Sequence, residues 1–245
     1  MKRTRQQRGV TLLELLIAVT LVSLLSVGIL YGMRVGLQAL EKTNNRFMAN
    51  RRVVGVERAL QQQLAGLIPI GSDCLSADGV PRGKVRFWEG SPQQMRFVTN
   101  YSLNENARGY PRIVEYAVIP GQDDVGVRLI VNESIYNGPI SLMGHCVGIG
   151  VDPVSNMPMT LYRPVIARPD SFVLADKLAS VRFVYLETLP PPILQKWTPT
   201  WVLPAWPSAI RLELVPLDAN PGNLDVATTT VPIRITADPF KRYAD

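Results

Sequence analysis

A single carboxylate, Glu14, lies inside a long apolar stretch that covers residues 10–30 (VTLLELLIAVTLVSLLSVGIL). A charged side chain costs about 2.5–3.5 kcal/mol at the centre of a membrane helix and less near its end, so Glu14 is a candidate functional residue. If the chain is cleaved after Gly9, the new amino group belongs to Val10, and helical spacing places it on the same side of the helix as the carboxylate. The amine of a neighbouring subunit could neutralise Glu14 equally well, which would set the axial offset between subunits.

The stretch around Glu14 is long enough to cross a bilayer, because residues 10–30 span roughly 30 Å as a helix. It follows a leader, residues 1–9 (MKRTRQQRG), that contains basic residues and no acid. Positive charge stays on the cytoplasmic side, so the C-terminal body is expected outside the membrane. A secretory signal peptide would have a shorter apolar region and a small-residue cleavage site. A plain signal anchor would not explain Glu14.

The net positive charge is concentrated in the leader. The chain has a formal charge of +6, and Lys2, Arg3, Arg5 and Arg8 account for four of these charges, which leaves +2 for the rest. A nearly neutral body without a Lys/Arg run argues against nucleic acid as a partner.

Elsewhere the sequence offers little that could support catalysis. His145 is the only histidine, so a Ser-His-Asp or Cys-His arrangement would have to use it. Its neighbour Cys146 suggests a metal pair, but no second Cys/His cluster accompanies them, and a turn or core position is the preferred interpretation. Asp123, Asp124 and Asp152 could attract calcium, although their spacing matches no calcium loop. We expect no enzymatic activity, no metal site and no cofactor.

The two cysteines, Cys74 and Cys146, leave two interpretations open. An exported domain in an oxidising compartment permits one disulfide between them. Two buried free thiols are the alternative, because the sequence cannot show whether the two Cα atoms come within about 7 Å of each other.

Gly9 followed by VTLLELLIAVTLVSLL closely resembles the cleavage and methylation motif shared by type IV pilins and type II secretion pseudopilins. Leader, glycine, apolar run and Glu14 as the fifth residue after Gly9 all occur in register. The resemblance implies that a prepilin peptidase cuts between Gly9 and Val10 and methylates the new amine. Phe or Met is commoner than Val at the first mature position, so Val10 is a less typical methylation site.

The remaining pattern predicts an α+β fold, in which a long N-terminal helix packs on a C-terminal antiparallel β-sheet domain. Apolar residues keep a helical rhythm to about Ala65, and Gly66 and Pro69 then stop the helix; these apolar residues are Met33, Leu37, Leu40, Phe47, Val54, Leu60 and Leu64. Short alternating runs follow and predict a sheet with one wetter face. The runs are Lys84–Trp88, Gln94–Thr99, Arg112–Ile119, Val125–Asn132, Val181–Glu187, Ala209–Val215 and Val231–Thr236.

These patterns divide the chain into four parts. We expect a cleaved leader over residues 1–9, a transmembrane half-helix over 10–30, an amphipathic periplasmic half-helix over 31–66 and a globular β-rich domain over 67–245. This division follows the pilin plan that the N-terminal resemblance implies.

The C-terminal region carries a second, narrower resemblance. A Pro-rich connection contains Trp197, Trp201 and Trp206, which could form a partner-binding patch but are more simply explained as a cover for the end of the sheet. This connection lies between the strands VRFVYLE and AIRLELV. Strand, Trp segment and the "P-x-A-[IV]-R-L" strand together resemble the J-type minor pseudopilins of type II secretion. The residues of that last motif are Pro207, Ala209, Ile210, Arg211 and Leu212.

The J-type resemblance implies a structural subunit near the tip of a periplasmic pseudopilus, anchored in the bacterial inner membrane by one helix. The implied partners are the I-, K- and H-type minor pseudopilins, the prepilin peptidase, the inner-membrane assembly platform and membrane lipid. A minor pilin of a type IV pilus, with a role in assembly, adhesion or DNA uptake, is the alternative. A membrane-anchored periplasmic enzyme is a third hypothesis, for which the sequence supplies no catalytic set.

Overall fold

The computed structural model describes residues 11–75, 80–192, 194–217, 227–235 and 237–240. The chain divides into two compact units, Met1–Asn50 and Arg51–Asp245. The helices are α1 (Leu12–Ala65) and α2 (Ile140–Met143), and Gln122–Asp124 forms a 3-10 turn. The strands are β1 (Leu67–Ile68), β2 (Gly71–Leu75), β3 (Pro81–Arg86), β4 (Glu89–Gly90), β5 (Gln94–Ser102), β6 (Ala107–Pro120), β7 (Val127–Ile135), β8 (Cys146–Val151), β9 (Pro158–Tyr162), β10 (Phe172–Thr188), β11 (Gln195–Thr198), β12 (Ala209–Pro216) and β13 (Ala227–Pro232).

The described part of the first unit is helical, and its side chains from residue 11 to residue 40 are all exposed. Leu24 and Leu30 are 72% and 67% exposed, although they are among the most apolar residues of the chain. A soluble domain buries such residues, and a membrane helix exposes them to lipid. This part of α1 therefore has the exposed apolar surface that is typical of a membrane helix.

The second unit is built around a mixed-length antiparallel sheet with the strand order β1-β5-β6-β7-β10-β12-β13. Strand β4 extends it beside β5, and β11 pairs with β10. The long strand β10 pairs with β7 along its first half and with β12 along its second half, with bulges between Val173 and Ser180. Lys177 has a φ of 55° at this irregularity, where the strand changes partner.

The last turns of α1 cover one face of this sheet. Leu60 and Leu64 are buried, and they belong to one cluster with Phe97, Tyr116 and Phe183 of the sheet. Because successive strand residues point to opposite faces, the neighbouring residues of the same strands face away from the helix. The core of the second unit is therefore a helix-on-sheet layer.

One polar residue of α1, Gln63, is fully buried and joins the helix to three strands. Its side-chain amide donates to Glu133 Oε1 at 2.9 Å, and its Oε1 accepts a hydrogen bond from the hydroxyl of Tyr116 at 2.5 Å. The backbone carbonyl of Gln63 accepts the hydroxyl of Thr99 at 2.7 Å. Both polar atoms of the Gln63 side chain therefore have a partner, so burial of Gln63 is compatible with a stable core.

Helix α1 ends where its backbone meets β5. The amide of Asn100 donates to the carbonyl of Gly66 at 2.9 Å. A Cβ on Gly66 would lie 2.3 Å from Asn100 Oδ1 and 2.7 Å from Thr99 Oγ1, so a larger residue would require these side chains to move. The predicted stop at Gly66 is confirmed by the helix boundary at Ala65.

Two hairpins cover the β5–β6 part of the opposite face of the sheet, whereas the β10–β12 part keeps the predicted wetter face. Phe87 and Leu142 pack there on Val98 of β5 and Ile113 of β6. The β2–β3 and β8–β9 hairpins form separate two-stranded sheets above this face. Strand β5 is consequently buried on both faces, whereas Arg211 and Glu213 of β12 keep the expected partly exposed pattern. The alternating sequence of β8 and β9 was too Gly- and Pro-rich to predict these strands.

The α+β architecture predicted from the sequence is confirmed, with some corrections to element boundaries and to the buried helix face. All seven predicted strands overlap strands of the structure, although Val231–Thr236 shares only two residues with β13; six strands, β1, β2, β4, β8, β9 and β11, were missed. Leu60 and Leu64 are buried as expected, whereas Val54 is 61% exposed. The helical rhythm alone did not separate these positions, because their burial depends on where the sheet lies.

Candidate functional site

Glu14 lies in the first turn of α1 and its side chain is exposed. The backbone amide of Glu14 donates to the hydroxyl oxygen of Thr11 at 3.3 Å and to the carbonyl of Thr11 at 3.0 Å. Thr11 therefore acts as the N-cap of the helix. A negative side chain in the first turn also interacts favourably with the positive end of the helix dipole. This arrangement leaves the Glu14 carboxylate accessible to a group from outside the chain.

The pattern Thr11-x-x-Glu14 is the sequence signature of a capping box, and the half of it formed by the Thr11 hydroxyl and the Glu14 amide is present. The sequence prediction considered Glu14 only as a partner for an amine. Thr11 was missed, although its spacing from Glu14 was a signal for the start of a helix. The cap and the carboxylate can be tested separately, since Thr11 can be changed without removing the carboxylate.

A single helix among the described residues, Leu12–Leu40, is long and apolar enough to cross a membrane. It contains 29 residues, so it extends beyond the predicted transmembrane half-helix of residues 10–30. Gly28, Gly32 and Gly36 have no protein atom near the position of an added Cβ.

The predicted cleavage and methylation residues, Gly9 and Val10, and the leader, residues 1–9, lie outside the described residues.

The second unit contains a disulfide between Cys74 and Cys146, with the two Cα atoms 5.4 Å apart. Cys74 is on β2 and Cys146 begins β8, so the bond joins the two hairpins that cover the sheet. Both cysteines are buried. Of the two interpretations left open by the sequence, the structure has the disulfide, which acts as a cross-link of the outer layer.

A buried cluster of charges lies beneath these hairpins and contains the only histidine. Arg96 is 1% exposed, and its guanidinium donates to Glu89 at 2.5 Å, to Glu115 at 2.8 Å and to the carbonyl of Arg163 at 2.9 Å. His145 Nδ1 lies 3.1 Å from the same Oε1 atom of Glu115. The cluster thus joins the sheet strands β4, β5 and β6 to the β8–β9 hairpin.

The cluster shifts the pKa values of its two carboxyl groups in opposite directions. Burial alone would raise the pKa of Glu115, but the hydrogen bond with His145 and the charge of Arg96 outweigh it and lower the pKa to about 2. Burial raises the pKa of Glu89, and the nearby Arg96 only partly offsets this effect. These carboxylates are fixed by an internal cation, so the cluster is suited to holding the hairpin rather than to proton transfer.

The acidic residues that could have attracted calcium have other roles where they are described. The carboxylate of Asp152 accepts the amide and the hydroxyl of Ser155, both at 2.7 Å. This closes the turn between β8 and β9, and the hydrogen bonds lower the pKa of Asp152. Asp123 and Asp124 adopt φ values of 55° and 57° in the tight 3-10 turn before β7. No group of three or more metal-binding side chains occurs within the described residues.

The three tryptophans of the Pro-rich connection pack against the second unit. Trp201 is buried and its indole nitrogen donates to the carbonyl of Ala205 at 2.8 Å. Trp206 packs edge-on against Trp88 with ring centroids 5.4 Å apart. Trp197 lies beneath Arg211, whose Cζ atom is 3.9 Å from the ring centroid. These contacts agree with the interpretation that the segment covers the end of the sheet.

Comparison with known families places a recognised motif at the N-terminus. A family model described as the prokaryotic N-terminal methylation motif matches residues 4–30. No curated protein matches the chain in sequence. The motif, the apolar helix with Glu14 in its first turn and the α+β architecture together support a type IV pilin-like protein, the class that contains pilins and pseudopilins. The position of the apolar helix near the N-terminus fits a single-pass membrane anchor.

Proposed function

We propose that the chain is a minor pseudopilin, a structural subunit at or near the tip of a type II secretion pseudopilus. The observation that carries this proposal is the methylation motif in register with Glu14, which is exposed in the first turn of an unburied apolar helix. A carboxylate in that position is suited to neutralise the methylated amine of an adjacent subunit in the membrane. The protein would support assembly of the pseudopilus and so the export of proteins across the outer membrane.

Maturation would proceed through cleavage by a prepilin peptidase between Gly9 and Val10 and methylation of the new amine. The body would then lie in the periplasm with the helix in the inner membrane, where it meets the assembly platform. The Cys74–Cys146 disulfide supports an oxidising location of the second unit. The protein would act without catalysis or cofactor and without nucleic acid as a partner.

The assignment to the J-type rests on the C-terminal pattern. Pro207 precedes β12, and Ala209, Ile210, Arg211 and Leu212 form the first half of this strand. Ile210 and Leu212 are fully buried, so these residues also serve the core of the fold. The I-, K- and H-type minor pseudopilins are the partners that this assignment proposes.

The test uses co-purification of these three partners with the full chain from membranes of the native strain. Glu14→Ala should leave insertion and processing intact but reduce recovered partner subunits at least 10-fold. Thr11→Val is the matched control, because it removes the cap hydroxyl and keeps the carboxylate. Partner recovery with Thr11→Val should stay within about twofold of wild type, since a cap contributes only about 1 kcal/mol. Equal recovery with Glu14→Ala and wild type would refute the role of Glu14.

A further inference from the structure

A cavity of about 710 Å³ lies in the second unit between the two hairpins and the Trp-rich segment. Its walls come from β3, from the segment after β3, from β9 and from Thr200–Pro204, and Phe240 contributes from the C-terminal region. The volume lies within the range of about 300–1,000 Å³ that is usual for ligand sites. All of its lining residues belong to the second unit.

The way β9 lines the cavity shows that it presents a strand edge. Six consecutive residues, from Met157 to Tyr162, contribute to the wall. Side chains alternate between the faces of a strand, so a cavity on one face would meet every second residue. Contact with each residue in turn means that the cavity lies along the edge of β9. The other edge is paired with β8, and β9 has no further strand partner in the described residues.

The hydrogen-bond register identifies which backbone groups this edge offers. The amide of Asp152 donates to the carbonyl of Met157 at 2.9 Å, which marks a hydrogen-bonded pair. In an antiparallel pair such positions alternate, so Thr160, which lies opposite Ile149, directs its N–H and C=O away from β8. Pro158 occupies the other outward position, where the lack of an N–H is tolerated on an edge. Thr160 therefore offers one donor and one acceptor to an added strand.

Apolar residues from both faces of the β8–β9 hairpin line the cavity. Ile149 and Leu161 are 46% and 41% exposed, and the register places them on opposite faces, which fits a cavity along the edge of the hairpin. Trp201 and Met159 add further apolar surface inside. Exposed apolar residues beside a cavity mark an interaction surface. The apolar walls and the free strand edge together fit one kind of occupant.

We propose that this cavity binds an extended segment of another protein, which adds as a strand to the edge of β9. Backbone groups of the segment would pair with Thr160, and its large apolar side chains would pack on Met159, Leu161 and Trp201. This is β-strand addition, in which backbone hydrogen bonds give affinity and side-chain pockets give selectivity. The proposal is independent of the assembly role assigned to Glu14.

The test uses the full chain, purified with its disulfide intact in detergent micelles, and a phage-displayed library of random 12-residue peptides. Panning should enrich peptides with alternating apolar residues that bind the wild type. Leu161→Lys should weaken their binding at least 10-fold. Ile166→Lys is the matched control, because Ile166 is 74% exposed and does not line the cavity. It should leave binding unchanged.

Backbone methylation of the selected peptides distinguishes strand addition from other binding. N-methyl groups at alternate peptide positions should abolish binding, and those at the intervening positions should be tolerated, because only every second amide faces β9. Failure to enrich any peptide would overturn the proposal. Enriched peptides that bind Leu161→Lys as tightly as the wild type, or that tolerate N-methylation at every position, would overturn it as well.

Discussion

The two ends of α1 contain the same apolar residue types, which are exposed at one end and buried at the other. Leu24 is 72% exposed in the N-terminal part of the helix, whereas Leu60 is fully buried in the C-terminal part. The N-terminal part contains one carboxylate, Glu14, which is exposed; the C-terminal part contains Gln63, which is buried and hydrogen-bonded to three strands. Apolar composition alone therefore does not tell a lipid-facing turn from a core turn, but the partners of the polar residues do.

All four tryptophans, Trp88, Trp197, Trp201 and Trp206, lie beyond Asn50, so tryptophan fluorescence reports on unfolding of the second unit alone. This allows the contrast between the two ends of the helix to be measured on the full chain in micelles. Each prediction below compares free energies of unfolding from denaturant titrations with this signal.

The largest effect is expected from the cross-link of the unit that buries Leu60. The disulfide joins cysteines separated by 72 residues. A loop of this length predicts a loss of about 4 kcal/mol when the bond is removed. Cys74→Ser with Cys146→Ser should therefore lower the free energy of unfolding by this amount, with the far-ultraviolet helix signal retained. Stability equal to wild type would show that the outer hairpins do not depend on the bond.

The buried charge cluster gives the next effect, and the surface offers a matched control. Arg96→Met leaves Glu89 and Glu115 without their cation, which should cost about 3 kcal/mol or more. Arg182 forms an exposed pair with Glu213 at 2.8 Å, and its side chain is 59% exposed. Arg182→Met should cost less than about 1 kcal/mol. Similar losses for the two variants would mean that burial does not strengthen the dependence on Arg96.

The same cluster predicts a dependence on acid pH. The pKa of Glu115 is lowered from 4.5 to about 2 in the folded protein. The ionised Glu115 carboxylate therefore contributes to the free energy of unfolding above pH 4.5. This contribution is about 3 kcal/mol at most and is lost as the pH falls toward 2. The stability difference between wild type and Glu115→Gln should shrink over this range. A difference that stays constant from pH 5 to pH 2.5 would contradict the lowered pKa.

The helix itself supplies the most direct contrast. Leu60→Ala opens a cavity in the core and should lower the stability of the second unit by about 2–3 kcal/mol. Leu24→Ala changes an exposed residue of the membrane part and should alter that stability by less than about 0.5 kcal/mol. Equal losses of stability for the two variants would contradict the difference in burial between the two ends of α1.

The sequence was informative where local chemistry decides the structure. Gly66 ended the helix as predicted, and strands with strict alternation such as Ala209–Val215 were found within one residue. Pairing of Cys74 with Cys146 was not predictable, because it depends on two hairpins meeting above the sheet. The same is true of Arg96 and His145, which are far apart in sequence and read as ordinary strand and turn residues. Long-range packing brings these groups together, and no local pattern records it.

We propose that this pilin-like protein serves protein export. The decisive experiment measures release of exoproteins into the culture supernatant by a deletion strain of the native bacterium, with and without the wild-type gene restored. Release should be lost in the deletion strain and recovered on restoration, and surface pili should be normal. Normal release together with lost pili, motility or DNA uptake would contradict it and would assign the protein to a type IV pilus.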